Sequence, residues 1–363
     1  MEIRCFTELS EAQLHDWRAF LSASPYAHPR QDPRFAAIEH ALGRRVVFAI
    51  GRKGGDIRAV GLFSLVPGPL PGRFASALAL SGPVADDTAT LVSFLQEVVR
   101  QPEFRRVDAL RVTPYRLDHE AEETTAALRA AGFGCSDPEP ARHTGIVDLS
   151  PDEEGLRASF SRSARRKLKA VEASDVEIRE ITDPREIEVF FERLNTLVLH
   201  HYGLTPVAAA EVRAGTEHIY TDPGIGVMFG AFHEGSFLGG LLLYRSHHTA
   251  HARRGVADTE VAATASNLRV VSSLWLRAML WARDQGCRYL DVEGYRVIED
   301  KTHPQFNIYE YKRQFGPRPA TRLAEHTLPL SAFHLANTLP RRVAARLKRR
   351  LPRLAQRVKD LRS

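Results

Sequence analysis

A chain of 363 residues has room for two buried cores at roughly 150 residues per domain, which excludes a single small module. Its 44% hydrophobic and 26% charged content is that of a soluble globular protein and excludes both a disordered chain and a polytopic membrane fold. The formal charge of +6 is uneven: residues 340–363 hold ten Arg or Lys against Asp360, a local +9 that leaves −3 for the rest of the chain, so attraction to polyanions belongs to the tail or to local patches.

No run of eighteen apolar residues occurs, and the opening MEIRCFTELSEAQ carries acids where a signal peptide needs a basic and then an apolar stretch. A cytoplasmic protein is expected. Cys5, Cys135 and Cys287 are odd in number, far apart and without paired Cys/His spacing, so they read as buried free thiols rather than a disulfide framework or a structural zinc site.

Along the chain, VVFAIGRKGGDIRAVGLFSL (46–65) predicts two strands joined by a Gly-Gly-Asp turn, followed by a helix in LVSFLQEVVR and a strand in RVDALRVTPY. Ser150-Pro-Asp-Glu153 fits a capping box with Pro at the first helical position and predicts one helix to about Ala170. Asp183-Pro-Arg-Glu186 repeats the signal and predicts a helix through about Leu199, with another over 204–218. Three strands near 225–257 form an antiparallel meander that includes GVMFGAFHEGSFLGGLLLYRS (226–246). A helix over about 264–285 follows, then strands near 288–293 and 320–328, and a helical stretch from about 331 broken at Pro340 and Pro352. The two hairpin–helix–strand series repeat: Gly61 to Gly240 is 179 residues, and Leu110 to Leu290 and Tyr115 to Tyr295 are 180 each. The reading is α+β: two copies of one unit over 1–149 and 150–330, mixed sheets flanked by helices, and a basic helical tail over 331–363.

The chain has no GxSxG, GxxxxGK[ST] or HExxH, and no GxGxxG after a strand. The informative block is GCRYLDVEGYRVIEDKTHPQFNIYEYKRQFG (286–316), an apolar strand ending in acid and glycine, a polar loop, and a short aromatic helix. Helical spacing puts Ile308, Tyr311 and Phe315 on one face with Lys312 beside it. Lys312 is then either a lysine held over an aromatic platform and partly desolvated, or a solvated helix residue whose stem covers apolar surface.

This block resembles the C-terminal signature of the Fem family of aminoacyl-tRNA-dependent transferases, which build peptidoglycan cross-bridges, through Asp291-Val-Glu-Gly294 and Tyr309-Glu-Tyr-Lys312-Arg-Gln-Phe-Gly316. FSRSARRKLKAVEASDVEIREI (160–181) is similar to the basic helix that opens that family's second domain, and HPRQDPRFAAIEHALG (28–43) to the opening segment of its first. The resemblance implies tandem GNAT-like (acyl-CoA N-acyltransferase fold) domains and amide-bond formation. The aminoacyl group would come from aminoacyl-tRNA, and the acceptor would be the amine of a cell-wall precursor or peptide-like metabolite, possibly phosphate-linked. It implies Lys312 as stabiliser of the tetrahedral oxyanion, an interaction on the order of 3–4 kcal/mol for such a donor. It further implies Arg165, Arg166 and Lys167 as holders of acceptor phosphate or the tRNA end, and Tyr295, Tyr309 and Tyr311 as walls of the cleft. His251 and Arg253 fall on a meander strand where family members place cleft residues; an ordinary surface histidine is the other reading of His251. Glu293 is either a base toward the substrate amine or a salt-bridged acid. No metal and no resident cofactor are expected. Glu39 stands where relatives acting on nucleotide-linked muropeptides carry a lysine.

Two alternatives remain open. An acyl-CoA donor needs a Gly-rich turn around the pyrophosphate, whereas residues 265–274 contain no glycine and carry Val270-Val271, with Ser272 and Ser273 as candidate caps. A non-enzymatic reading rests on the tail. There Val343, Leu347, Leu351, Leu354, Val358 and Leu361 recur every three or four residues among basic ones, an amphipathic helix suited to the inner membrane surface, to tRNA, or to docking on the body. The adjacent pairs His200-His201 and His247-His248, read as strand neighbours on opposite faces, form no chelate by themselves.

Overall fold

The computed structural model describes residues 1–135, 143–202, 205–257, 269–303 and 305–331, with the side chains of 200–202 left aside. The tail expected over 331–363 lies outside these residues apart from Ser331, as does 258–268. The first half runs β1 (Glu2–Phe6), α1 (Glu11–Ala23), α2 (Phe35–Ala41), β2 (Arg45–Lys53), β3 (Asp56–Pro67), β4 (Phe74–Ala79), β5 (Val84–Ala85), α3 (Thr88–Val98), β6 (Ala109–Val112), α4 (Asp118–Ala130) and β7 (Gly134–Cys135). There follow β8 (His143–Asp148), α5 (Glu153–Ser159), α6 (Arg162–Glu172), β9 (Glu177–Glu180), α7 (Pro184–Tyr202), α8 (Ala209–His218), β10 (Gly226–His233), β11 (Ser236–Arg245), β12 (Thr249–Ala257), α9 (Val271–Asp284), β13 (Tyr289–Asp291), α10 (Phe306–Arg313), β14 (Arg318–Thr321) and β15 (His326–Pro329).

The strands form two mixed sheets, ordered β1-β2-β3-β4-β6-β15-β7 with β5 on β3, and β14-β8-β13-β12-β11-β10-β9. Each is antiparallel except at one joint, β4 with β6 in the first and β12 with β13 in the second. The internal repeat is therefore real at the level of topology: a meander whose last strand pairs in parallel with the strand after a helix. β10 and β11 of the second meander are almost wholly buried because helices and the first half cover both faces of the sheet. Val227, Phe229, Leu241, Leu243, Ala250 and Leu290 pack under α6 and α9. Met228, Leu242 and Tyr244 join Phe190 of α7 and, from the first half, Trp17, Phe35 and Val46 in one shared core.

The chain departs from the expected division at both ends of the second unit. His143–Asp148 is a strand of the second sheet, lying between β13 and β14, so the break precedes residue 143 rather than falling at 150. The single strand expected over 320–328 is two, and the latter, β15, returns to the first sheet between β6 and β7. Periodicity finds strands but not their partners, which are fixed by long-range pairing. The helix expected from Ser150 to Ala170 is also two. Asp152 rather than Ser150 caps the first by accepting from the Gly155 N–H at 2.8 Å. At the break Phe160 is buried against Phe315, and Ser161 restarts the helix by accepting from the Ala164 N–H at 3.1 Å. The helix expected over 264–285 begins at Val271, with Ser272 and Ser273 buried in its first turn instead of capping it. Of the thiols only Cys287 is fully buried, Cys5 and Cys135 being half-covered. Among the described residues no helix is long and apolar enough to cross a membrane.

Because β15 closes the gap between β6 and β7, a chain ending at residue 324 leaves two strand edges unpaired. We expect its urea unfolding free energy to fall by about 2–4 kcal/mol, from lost backbone hydrogen bonds and apolar burial, with a tendency to self-associate on size exclusion. A truncated chain as stable as the full one would show that this strand adds nothing to the first sheet.

Candidate active site

The site grows from the parallel joint of the second sheet. β12 and β13 pair at Thr249 with Tyr289, Ala250 with Leu290 and His251 with Asp291, and no pairing continues beyond them. A cavity of about 410 Å³ is lined by what lies past that point: Ala252, Arg253, Arg254 and Val256 of β12, Val292 after β13, Leu241 of β11, Leu274 and Trp275 of α9, Leu197 of α7, and Tyr311 and Lys312 of α10. Leu241, Ala252, Leu274, Trp275 and Val292 belong to the core under α6 and α9, whereas Val256 and Leu197 belong to the core shared with the first half. The cavity thus joins the two faces of the sheet.

Both consecutive arginines reach it because β12 is bulged. Arg254 pairs with Leu242 and Ala252 with Leu243, leaving Arg253 as the extra residue. Arg253 donates to a Glu293 carboxylate oxygen at 3.2 Å. Burial alone would raise the Glu293 carboxyl, but Arg253, with Arg322, His251 and Arg30, holds it below the usual carboxylate range. Glu293 is thus a salt-bridged acid in this structure.

Lys312 sits on the cavity wall, its ammonium donating to the carbonyl oxygens of Val292 at 2.9 Å, of Glu293, and of Gly294 at 3.4 Å. It rests on the carbonyls of a strand end rather than on ring faces, which corrects the aromatic platform. Glu293 and Gly294 both have positive φ, 45° and 50°, and this turn brings the carbonyls together. Burial lowers the Lys312 ammonium from its ordinary range, offset in part by Glu293 and Asp291. The turn is set by Asp291, fully buried, which accepts from the Glu293 N–H at 2.8 Å, from the Tyr115 hydroxyl at 2.9 Å and from the Thr144 hydroxyl. Tyr115 comes from the first half, so this carboxylate also ties the halves together.

The other expected residues divide. Tyr311 lines the cavity, and its hydroxyl accepts from the Trp275 indole at 2.6 Å. Tyr295 and Tyr309 pack on each other, ring centroids 5.5 Å apart, and are not among the lining residues. Arg165 is exposed and donates to the Ala158 carbonyl at 2.8 Å, while Lys167 donates to the Gln314 amide oxygen at 3.3 Å. Neither lines the cavity. Burial lowers the Lys167 ammonium, with Arg269 and Arg166 adding repulsion. Glu39 is buried and paired with Arg44 at 2.7 Å.

His251 is no surface residue. It is fully buried on the seam, its ring 4.3 Å from that of His28 and 5.1 Å from that of Tyr115. His200 and His201 lie in the last turn of α7, and His247 and His248 in the turn between β11 and β12, so the strand geometry assumed for both pairs does not hold.

Sequence reading gave no role to His28, Arg30, Asp291 or Arg254. The signal for the first two was His28-Pro-Arg-Gln-Asp32, a short turn in which the His28 Nδ1 accepts from the Arg30 N–H at 3.1 Å. His28, His251 and Glu293 bring one ligating atom each within 4.8 Å of one another. The donor set nonetheless fits a cation poorly: a neutral His28 whose Nδ1 accepts must carry its proton on Nε2, and three guanidinium groups, of Arg30, Arg253 and Arg322, act on the same cluster.

The family described as "Acetyltransferase (GNAT) domain" matches residues 158–313. A crystal structure of FemX superposes with TM-score 0.76 at 15% identity, over 91% of this chain and 98% of that one. This chain has a Fem-like tandem GNAT fold. The C-terminal domain of a putative lysylphosphatidylglycerol synthetase from Agrobacterium fabrum superposes with TM-score 0.53 at 12% identity, over 91% and 96% of the two chains. A tandem GNAT protein from the clavulanic acid biosynthesis pathway gives 0.51 at 14%, over 91% and 99%. No curated protein matches the sequence. The residues that line the cavity, Leu197 included, all fall within the segment 158–313 that matches this domain.

Burial first of all lowers the imidazoles of His28 and His251; His251 and nearby arginines lower that of His28 further, while Asp291 and Glu293 offset part of the fall at His251, so both are neutral in the folded chain near pH 7. The unfolded chain binds those protons near pH 6.5, so the stability this neutrality supports is complete above 6.5 and is lost as pH falls below it. We expect the unfolding free energy to fall from pH 6.5 to 5, and His251→Asn to flatten that fall by up to about 1.4 kcal/mol per pH unit, one proton's worth. Parallel pH profiles for the two proteins would contradict the burial of a neutral His251.

Proposed function

We propose that this protein forms amide bonds, moving an aminoacyl group from aminoacyl-tRNA to the primary amine of a cell-wall precursor or peptide-like metabolite. The observation that carries the reading is the position of Lys312 on the wall of a cavity that joins the two sides of a split parallel strand pair. The amine nitrogen attacks the ester carbonyl carbon, giving a tetrahedral oxyanion. Its collapse breaks the bond to the ribose oxygen, which takes up the proton that the amine sheds. The ammonium of Lys312, held by backbone carbonyls in a partly buried setting, supplies a fixed positive charge to that oxyanion. Trp275 and Tyr311 form the apolar wall against which the acyl side chain lies. In this reading the exposed Arg165 and the half-buried Lys167 of α6 bind a polyanion such as the tRNA end rather than the reacting atoms. The basic tail, 340–363, suits the same task or contact with anionic lipid at the inner membrane surface.

A second reading, an acyl-CoA donor, draws on the acetyltransferase family matched over 158–313. The two separate in one assay: purified protein is given labelled aminoacyl-tRNA pools and labelled acetyl-CoA in parallel, with a cell extract as acceptor source. Transfer from tRNA is the expected result, and label moving only from acetyl-CoA overturns the tRNA reading. With the active donor, Lys312→Ala should lower kcat about 10²–10³-fold, as loss of one oxyanion-stabilising group does. Full activity in a folded Lys312→Ala protein would remove the lysine from the chemistry.

A further inference from the structure

Next to the cavity, the polar groups left without hydrogen-bond partners are guanidinium and imidazole groups. Arg253 has its carboxylate, Glu293, and Arg322 donates to the Ser81 hydroxyl at 3.2 Å. Arg254, which lines the cavity, and Arg30, which reaches the same cluster from the first half, have no hydrogen bond or ion pair to a described residue, although Arg30 also lies 5.7 Å from the Phe35 ring. His28, 3% exposed, carries a proton on an Nε2 without a hydrogen-bond partner, and His251, fully buried, has no hydrogen bond at either ring nitrogen among the described residues, its Nδ1 lying 3.8 Å from an Asp291 carboxylate oxygen. Four guanidinium groups and up to two imidazole N–H groups therefore converge around Glu293, with Glu211 the further acid acting on Arg30, Arg253 and Arg254. The β12 bulge that aims Arg253 and Arg254 the same way is a built feature rather than a chance of surface arrangement.

We infer that the seam end of the cavity binds an oxyanion, a carboxylate or phosphate group on the acceptor, through Arg254 and Arg30 with the buried imidazoles behind them. Guanidinium forks recognise either group by paired N–H···O bonds, so the shared chemistry is a planar or tetrahedral oxyanion and not a named compound. Glu293 then has two tasks: it keeps Arg253 in place, and it leaves the remaining guanidinium groups in excess. The inference deepens the acyl-transfer reading by making the acceptor an acid as well as an amine, but binding needs no donor and can be measured without one.

The test is isothermal titration of the full chain with inorganic phosphate and, separately, with succinate, both at constant ionic strength against chloride. Saturable binding of at least one probe is expected, weakened about tenfold by Arg254→Gln and by Arg30→Gln and largely kept by Arg254→Lys, which stands in should a glutamine variant not fold. Arg157→Gln, at a half-buried arginine of α5 that is ion-paired with Glu153 and Glu172 and does not line the cavity, serves as control. Binding of phosphate alone assigns a phosphate-bearing acceptor, and binding of succinate alone a carboxylate-bearing one. No binding of either at tens of millimolar, or binding that both glutamine variants leave unchanged, overturns the site. Inactivity with both donors would sink the transfer reading and leave this result standing.

Discussion

A carboxylate with no exposure to solvent sets the geometry on which the site depends. Asp291 accepts hydrogen bonds from a tyrosine of the first half, a threonine of β8 and the backbone of the residue two places on. A buried carboxylate without such partners would cost several kcal/mol, so the three donors must be present together for the chain to fold around it. One residue thereby fixes the approach of the halves, the end of β13, and the turn at Glu293 whose carbonyls receive Lys312. Burial raises the Tyr115 hydroxyl well above its ordinary range, and the Asp291 charge raises it further, so the tyrosine remains a donor throughout the physiological range.

The cavity follows from the same joint. Two parallel strands that stop pairing leave an opening, and here the opening connects an apolar side, under α9, with a cationic side at the seam. On the proposed reading, an amine nucleophile and an acyl ester approach from opposite faces of one sheet, with the Lys312 ammonium between them. The cationic side is made by residues of both halves, Arg30 from the first and Arg253, Arg254 and Arg322 from beyond it, which gives the duplication a chemical consequence as well as a structural one.

Much of this was legible in the residues. The hairpins around Gly54-Gly55 and Glu234-Gly235 announce themselves by turn chemistry, and the 180-residue spacing announces the duplication. The block 286–316 contributes Val292, Tyr311 and Lys312 to the lining of the cavity. What it could not show was the lysine's partners, because carbonyl direction depends on a left-handed turn at Glu293, a residue that rarely adopts one. The strand exchange at β8 and β15 was hidden for a related reason: a four- to six-residue strand looks the same whichever sheet accepts it. His251 and His28 were missed as a pair because they are far apart in sequence and meet only across the seam.

The most direct test of the Asp291 tie is a double-mutant cycle in which Tyr115→Phe removes only a hydroxyl and Asp291→Asn removes the charge that accepts it, read as unfolding free energy. A coupling of about 1–3 kcal/mol is predicted for a buried charge-assisted hydrogen bond. Coupling indistinguishable from zero would mean that the halves are joined without this carboxylate, and the geometry derived from it would have to be abandoned.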